Sequence, residues 1–306
     1  MNLYYNGTDI YNDVSVNYCV HEMFAEKQAD TLVIRFNDPK GVWSKWNPAA
    51  GDTLRFKEGA SDTGKMFIHS MKPENGLFTI RAMSMPRSGA TKKSKSWTGV
   101  RFLQLGKEIA RNHGLTFKSY GCTDYLYPYL RQNNETDFAL FSRVCMLEGC
   151  QMLIYDGCLL AYNERYLESQ TPTGTLEVDK NGNFSYQDNR ATCYGSCEVA
   201  AGSYSGIFKA PGLTNSAVLR PSTPIPCTSN AEAARFAKGL LRNANKYGHT
   251  GQFSKALLPG YAAASVLRLK TPKASAWDGT VFVYKVRHDF VGNKSTLYFR
   301  EPLEGY

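Results

Sequence analysis

Histidine, cysteine, paired carboxylates and one short run of cations are the residues of this chain whose types could do chemistry. A Cys–His pair supports nucleophilic catalysis when an imidazole lies within reach of an activated thiol. The five histidines, His21, His69, His113, His249 and His288, are scattered, and none stands in a recognisable peptidase setting. Cys145 falls on the apolar face of a predicted helix and is read as core. His113 falls in the last turn before Gly114, where a helix C-terminus favours a cation, and is read as a cap. His288 ends a predicted strand and is read as a structural hydrogen-bonding residue. Zinc would need four ligands held tetrahedrally. Cys19, Cys122, Cys145, Cys150, Cys158, Cys193, Cys197 and Cys227 contain no C-x-x-C pair. The nearest approach, Cys193-Tyr-Gly-Ser-Cys197, has no second pair or histidine close to it in sequence. No metal and no cofactor is therefore expected. The N-terminal Met1-Asn2-Leu3-Tyr4-Tyr5-Asn6 lacks a basic segment followed by an apolar one, so the protein is expected to stay where it is made. The cysteines are then read as reduced, small apolar residues.

Glycoside cleavage needs two carboxylates at no fixed sequence spacing. Glu135 and Asp137 are the nearest candidates, but both fall in the first turn of a predicted helix, where acids are stabilising in any case. No H-E-x-x-H, G-x-S-x-G or phosphate-cradling loop occurs. No catalytic residue is assigned. The formal net charge is +9, and part of it comes from Arg87, Lys92, Lys93 and Lys95, set among Gly, Ser and Thr as in a mobile loop. A nucleic-acid platform would interleave aromatics with such cations, and only Trp97 stands beside them. The run is read as a solvated loop or as a partner-contact loop that orders against an acidic protein, and not as a direct nucleic-acid site. No window approaches 18 consecutive apolar residues, so no membrane insertion is expected.

The elements that must position these residues read as a β-rich α+β chain. Residues 14–20, 31–36, 53–57, 65–70 and 77–83 are rich in β-branched and aromatic residues and are separated by turn chemistry, which suggests a small barrel or sandwich. A helix is predicted over 98–113, with Phe102, Leu105, Ile109 and Ala110 buried and Gly114 in the left-handed conformation that ends a helix. A second is predicted from Asn134 as N-cap, burying Phe138, Phe141, Val144 and Cys145 and ending at Gly149. Asp156-Gly157 turns a hairpin between 151–155 and 158–162, because it accepts the positive φ of a type I′ turn. Residues 163–228 give weak strands and a turn at 179–183. Ser229 and Glu232 form a capping box at the head of a helix that carries Ala233, Phe236, Ala237, Leu240, Leu241 and Ala244 on one stripe and stops at Gly248. Strands at 252–258, 265–269 and 280–288 follow.

The order of these parts resembles the late control D family of phage tail proteins, the hubs of contractile tails and related injection machines. Trp46-Asn-Pro-Ala-Ala-Gly-Asp52 before a strand resembles the family's first barrel. FLQLGKEIARNHGL (102–115) resembles its helix ending in arhGL. Asn134-Glu-Thr-Asp-Phe-Ala-Leu-Phe-Ser-Arg143, with Glu148-Gly149 and the Asp156-Gly157 hairpin, resembles its central block. NAEAARFAKGLLRNAN (230–245) resembles the helix before its last barrel, and Trp277-Asp278-Gly279 with Val286-Arg287-His288 resembles its closing strands.

The resemblance implies two small barrel-like tube domains with an intervening helix and hairpin region. The divisions would be 1–85 for the first tube domain, 86–97 for the basic loop and 98–165 for the helix–helix–hairpin region. An irregular insert with weak strands would occupy 166–228, and a helix plus the second tube domain 229–306. It also implies a homotrimer whose six modules join a six-fold tail tube to a three-fold spike, with spike, tube and other baseplate proteins as partners. Such a hub would sit in a phage tail or phage-tail-like bacteriocin assembled in the bacterial cytoplasm. The spike would be a separate chain, since no spike follows Tyr306. The rival reading is a tail-associated cell-wall hydrolase, which a peptidoglycan zymogram would separate from a purely structural hub. If 86–96 is a mobile contact loop, deleting it should impair assembly without unfolding the chain.

Overall fold

The structure, a computed structural model, describes residues 1–26, 28–179, 182–272 and 274–306. The turn expected at 179–183 contains Lys180 and Asn181, which lie outside the described residues. The N-terminal region comprises β1 (Asn2–Tyr5), β2 (Thr8–Asp9), β3 (Ser15–Phe24), β4 (Thr31–Asn37), α1 (Val42–Trp46), β5 (Thr53–Glu58), β6 (Ser61–Asp62), β7 (Met66–Glu74) and β8 (Leu77–Met83). The strands expected there are present, and β3 and β7 run longer than expected. Alternation sets their faces: Leu32, Ile34 and Phe36 of β4 are fully buried, whereas Thr31, Val33 and Arg35 between them are not. Trp43 of α1 closes this core, stacked on Phe78 with ring centroids 5.6 Å apart and 4.3 Å from Phe36.

The middle comprises β9 (Lys92–Arg101), α2 (Phe102–Asn112), β10 (Thr116–Tyr120), β11 (Leu126–Thr136), α3 (Asp137–Leu147), β12 (Cys150–Tyr155), β13 (Cys158–Asn163) and α4 (Glu164–Glu168). The last part comprises β14 (Thr175–Glu177), β15 (Phe184–Asp188), β16 (Ser196–Ala201), β17 (Tyr204–Lys209), β18 (Val218–Leu219), α5 (Asn230–Asn245), β19 (His249–Ala256), β20 (Ser265–Lys270), β21 (Gly279–Asp289) and β22 (Lys294–Arg300). The chain is thus β-rich α+β, as expected.

The expected barrel closure is not there. One 14-stranded sheet runs along an open path, β15-β19-β22-β21-β3-β4-β8-β7-β5-β1-β2, with β14, β20 and β6 attached off it. The reason lies in β21. Its first half pairs with β20 through Gly279–Val283. A bulge against β22 follows between Val283 and Lys285, and Lys285–Asp289 then pairs with Val20–Phe24 of β3. Bulges bend a strand and raise its twist, so β21 leaves one neighbour and takes another. The two ends of the chain share one seam where two separate barrels were expected. Phe290, just beyond it, reaches into the N-terminal core, with its ring centroid 4.7 Å from that of Phe56.

The central helices pack on smaller sheets: β10-β13-β12, the ribbon β9–β11, and β17-β16-β18. The Asp156-Gly157 turn takes φ of 45° and 71°, and Tyr155 faces Cys158 as the hairpin requires. Four local expectations are corrected. The helix expected from residue 98 begins at Phe102, because Val100 extends β9, faces Tyr127 of β11 and is buried. The N-cap expected at Asn134 is Thr136, whose Oγ1 accepts the Ala139 N–H at 3.1 Å; Asn134 instead sits at φ 48° in a bulge. Ser229 caps α5 by accepting the Glu232 N–H at 3.1 Å, but the Glu232 carboxylate takes the N–H of Thr228, not of Ser229. Gly248 does not take a left-handed conformation; a Cβ there would lie 2.6 Å from Cys193 Sγ, so the residue is small to allow close approach.

Candidate functional site

The basic run is not a mobile loop. Arg87 lies in a short 3₁₀ turn whose Gly89 is packed on Phe138, and Lys92, Lys93 and Lys95 lie on β9, paired residue by residue with β11. Long-range pairing overrode the local Gly and Ser signals, since every β9 partner lies on a strand some thirty residues on. Lys93 Nζ is 2.8 Å from Asp137, and Lys95 Nζ is 2.5 Å from Glu108 and 4.6 Å above the Trp97 ring. Arg87 and Lys92 carry no ion pair among the described residues and are exposed.

The same corner brings together three residues that sequence spacing kept apart. Ser88 Oγ lies 2.8 Å from His113 Nδ1, and His113 Nε2 lies 3.0 Å from Asp137 Oδ2. His113 is therefore not the simple helix cap expected, but a buried bridge between the turn, α2 and α3. The residue types are those of a Ser–His–Asp hydrolase, yet the ring is reversed relative to that arrangement, with Asp on Nε2 and Ser on Nδ1. Asp137 also accepts from Lys93 at 2.8 Å and Gln132 at 2.9 Å. Burial works against its ionisation, but these donors hold the carboxyl below its ordinary value. With Asp137 shared among Lys93, Gln132 and His113, the trio works as a clasp. Glu135, its partner in the expected carboxylate pair, is instead on β11 and bound to Arg143 at 2.7 Å.

The largest concentration of charge was missed from sequence. Arg242 of α5, Lys246 at its C-cap, Arg300 of β22, Glu26 after β3, and Glu164 and Glu168 of α4 are all buried. Arg242 lies 3.1 Å from Glu164 and 2.5 Å from Glu168; Arg300 lies 3.1 Å from Glu164 and 2.5 Å from Glu168. Lys246 donates to Glu26 and, at 3.0 Å, to Glu164, and the Tyr247 hydroxyl donates to Glu26. Burial alone would push Glu164 up, but Lys246, Arg300 and Arg242 hold it down at about 2. Three cations face three carboxylates, so the cluster is neutral as a whole. It ties the N-terminal region, the central helices and the last strand at one point. The available signal was two like-charged i, i+4 pairs, Arg242/Lys246 and Glu164/Glu168.

A cleft of about 320 Å³ opens between the N-terminal region, the β12–β13 hairpin and the 259–263 loop, lined by Met23, Phe24, Asp62, Leu153 and Tyr261 among others. Asp30 lines it, nearly fully buried and with no cation beside it among the described residues; burial raises its carboxyl to about 7 against a single N–H from Phe24. Beside the seam, His21 of β3 faces His288 of β21. His288 bonds Ser295 Oγ at 2.7 Å and the Tyr261 carbonyl at 3.0 Å, the structural role expected of it. His21 is fully buried with neither ring nitrogen bonded, and burial, then His288, lowers it to about 3. Among the described residues no three His, Cys, Asp or Glu side chains converge on a point that could hold a metal ion. No described helix is long and apolar enough to cross a membrane.

No protein-family model and no curated protein matches this chain in sequence. Solved structures do match. A tail protein from Neisseria meningitidis, 12% identical, superposes with a TM-score of 0.77 over 98% of this chain and 95% of that one. The 43 kDa tail protein of prophage MuSo2 from Shewanella oneidensis, 9% identical, superposes with a TM-score of 0.76 over 98% of both chains. An E. coli type VI secretion component described as structurally similar to the T4 tail proteins gp27 and gp5 is 11% identical, with a TM-score of 0.59 over 100% of this chain and 78% of that one. The chain has the fold of phage tail and type VI secretion proteins from end to end.

Proposed function

We propose that this chain is the baseplate hub of a contractile phage tail or phage-tail-like particle, a non-catalytic protein that joins tail tube to spike. The observation that carries the reading is the match over 98% of the chain to two tail proteins nearly as fully covered themselves. The proposed mechanism is mechanical: three copies form a ring, its upper face seats the six-fold tube, and its lower face presents the three-fold spike. A fully buried neutral ion cluster and a shared β seam suit a part that transmits load, because both fix how the two β regions sit on each other. The chain would be a component of the particle, assembled in the bacterial cytoplasm, with spike, tube and neighbouring baseplate proteins as partners.

Arg87 and Lys92, free of internal ion pairs, are the proposed partner contacts of the basic ribbon; Lys93 and Lys95 act mainly within the chain. Deleting 86–96 is no longer a clean test, since it would remove β9 and the packed Gly89. Arg87→Glu with Lys92→Glu should leave the isolated chain folded and impair particle assembly. Normal particle yield from that variant would refute the contact.

The oligomeric state tests the ring. One copy weighs 34.2 kDa, so a trimer should read about 103 kDa by light scattering, as expected for a closed cyclic assembly. A monomer that stays monomeric when the spike is added would overturn the ring. For the hydrolase alternative, Ser88, His113 and Asp137 are the residues the structure brings together. A clearing band on a peptidoglycan zymogram that disappears in Ser88→Ala would establish it.

A further inference from the structure

A second cleft, of about 210 Å³, lies between α4 and α5 and gathers four cations: Arg165, Arg235, Lys238 and Arg242. Two of them are fully employed. Arg242 belongs to the buried ion cluster. Arg235 donates to Glu148 at 2.8 Å and stacks over the Tyr125 ring at 3.9 Å. Glu148, the acid in the cleft wall, is matched on its other oxygen by the Tyr127 hydroxyl at 2.7 Å. Arg165 and Lys238 remain. Neither has a carboxylate partner or a hydrogen bond among the described residues, and Lys238 has only the Phe208 ring, 5.3 Å from its ammonium. Lys238 is held below its ordinary value by partial burial and then by the positive charges of Arg165 and Arg242. Two cations that repel each other across a partly enclosed space, with the lining acid Glu148 already engaged by Arg235 and Tyr127, mark an anion site.

We infer that Arg165 and Lys238 form a binding site for a single carboxylate carried by an acidic side chain of a partner polypeptide. A guanidinium offers two parallel N–H donors that match a carboxylate, and the ammonium adds a point charge from the opposite wall. The cleft suits an isolated acidic group. A nucleic-acid backbone needs cations spread along a track at phosphate spacing, whereas here the two free cations converge. Tyr125 and Tyr306 also line the cleft. The inference rests on the charge arrangement alone and does not depend on the hub reading.

Thermal unfolding of the full chain with hexaglutamate, against NaCl at matched ionic strength, tests it. A ligand that binds only the folded state raises Tm in a saturable way. The wild type should show that rise, and Arg165→Gln with Lys238→Gln should weaken the apparent Kd at least about tenfold, since both cations of the site are then neutral. Arg165→Glu alone, on the exposed side of α4, should abolish the rise and serves if the double variant folds poorly. A rise no larger than NaCl gives, a rise that survives in the variants, or a stronger response to inorganic phosphate than to hexaglutamate would each overturn the assignment.

Discussion

Arg300, fully buried on β22, donates from Nη2 to Oε1 of Glu164 at 3.1 Å, closing a contact across 136 residues of sequence. Glu164 also takes Arg242 and Lys246, so it is the carboxylate on which all three buried cations converge. Removing its charge would leave buried cations uncompensated. Glu164→Gln should therefore destabilise the chain by about 3–5 kcal/mol, read as a lowered urea midpoint at unchanged slope. The same group sets an acid limit. Its folded value of about 2 lies below the ordinary 4.5, so its stabilisation is complete above 4.5 and is lost as pH falls towards 2. A wild-type midpoint that stays flat over that window would contradict the network.

Asp30 works in the opposite direction. Its folded value of about 7 lies above the ordinary 3.8, so the folded chain holds the proton more tightly than the unfolded one. It costs nothing below 3.8, and its penalty grows as pH rises to 7 and then levels off. Asp30→Asn keeps an acceptor for the Phe24 N–H and removes the charge. The variant should gain roughly 2–4 kcal/mol at pH 8 and almost nothing at pH 3.5. Equal stability of the two proteins at pH 8 would mean that the carboxylate has a partner in solution.

His21 offers a test of the seam. Its folded value of about 3 lies below the ordinary 6.5, so stability is full above 6.5 and falls as pH drops towards 3. That limb should lose roughly 1.4 kcal/mol per pH unit. His21→Leu removes two unbonded ring nitrogens from a dry site and should flatten the limb. At pH 7.5 it should be neutral or stabilising, because no hydrogen bond is lost. A loss above about 2 kcal/mol there would instead indicate a cavity or clash of the kind large core changes produce.

Gly239 sets helix propensity against packing. In the middle of α5, alanine would gain about 1 kcal/mol over glycine from propensity alone. A Cβ at this position would lie 2.3 Å from the Leu147 carbonyl oxygen and 2.6 Å from that of Met146, both backbone atoms that cannot rotate aside. Overpacking costs typically 1–3 kcal/mol and more when backbone must move. Gly239→Ala should therefore destabilise the chain by up to about 2 kcal/mol net, read as a lowered urea midpoint. A stabilised variant would mean that α3 and α5 are not in this contact.

Local chemistry determined much of this chain from its sequence. The period-two runs of β4, β5 and β8 formed strands because alternate residues could be buried on one face. Asp156-Gly157 turned because its residues accept positive φ, and Ser229 capped α5 because its hydroxyl reaches an orphan N–H. These choices depend on neighbours in sequence, and so did the family resemblance, which rested on their order. Tertiary structure decided what depends on residues far apart. Residues 86–97 read locally as a mobile basic loop and 98–101 as helix, and Lys92–Arg101 becomes a strand only through Leu126–Thr136. The two β regions share an open sheet because β21 bends from β20 to β3. Arg242 and Lys246 are buried because Glu26 and Glu164 arrive from other elements, with Arg300 sharing Glu164. Burying a charge costs several kcal/mol unless a partner meets it, and only the folded chain determines whether one does.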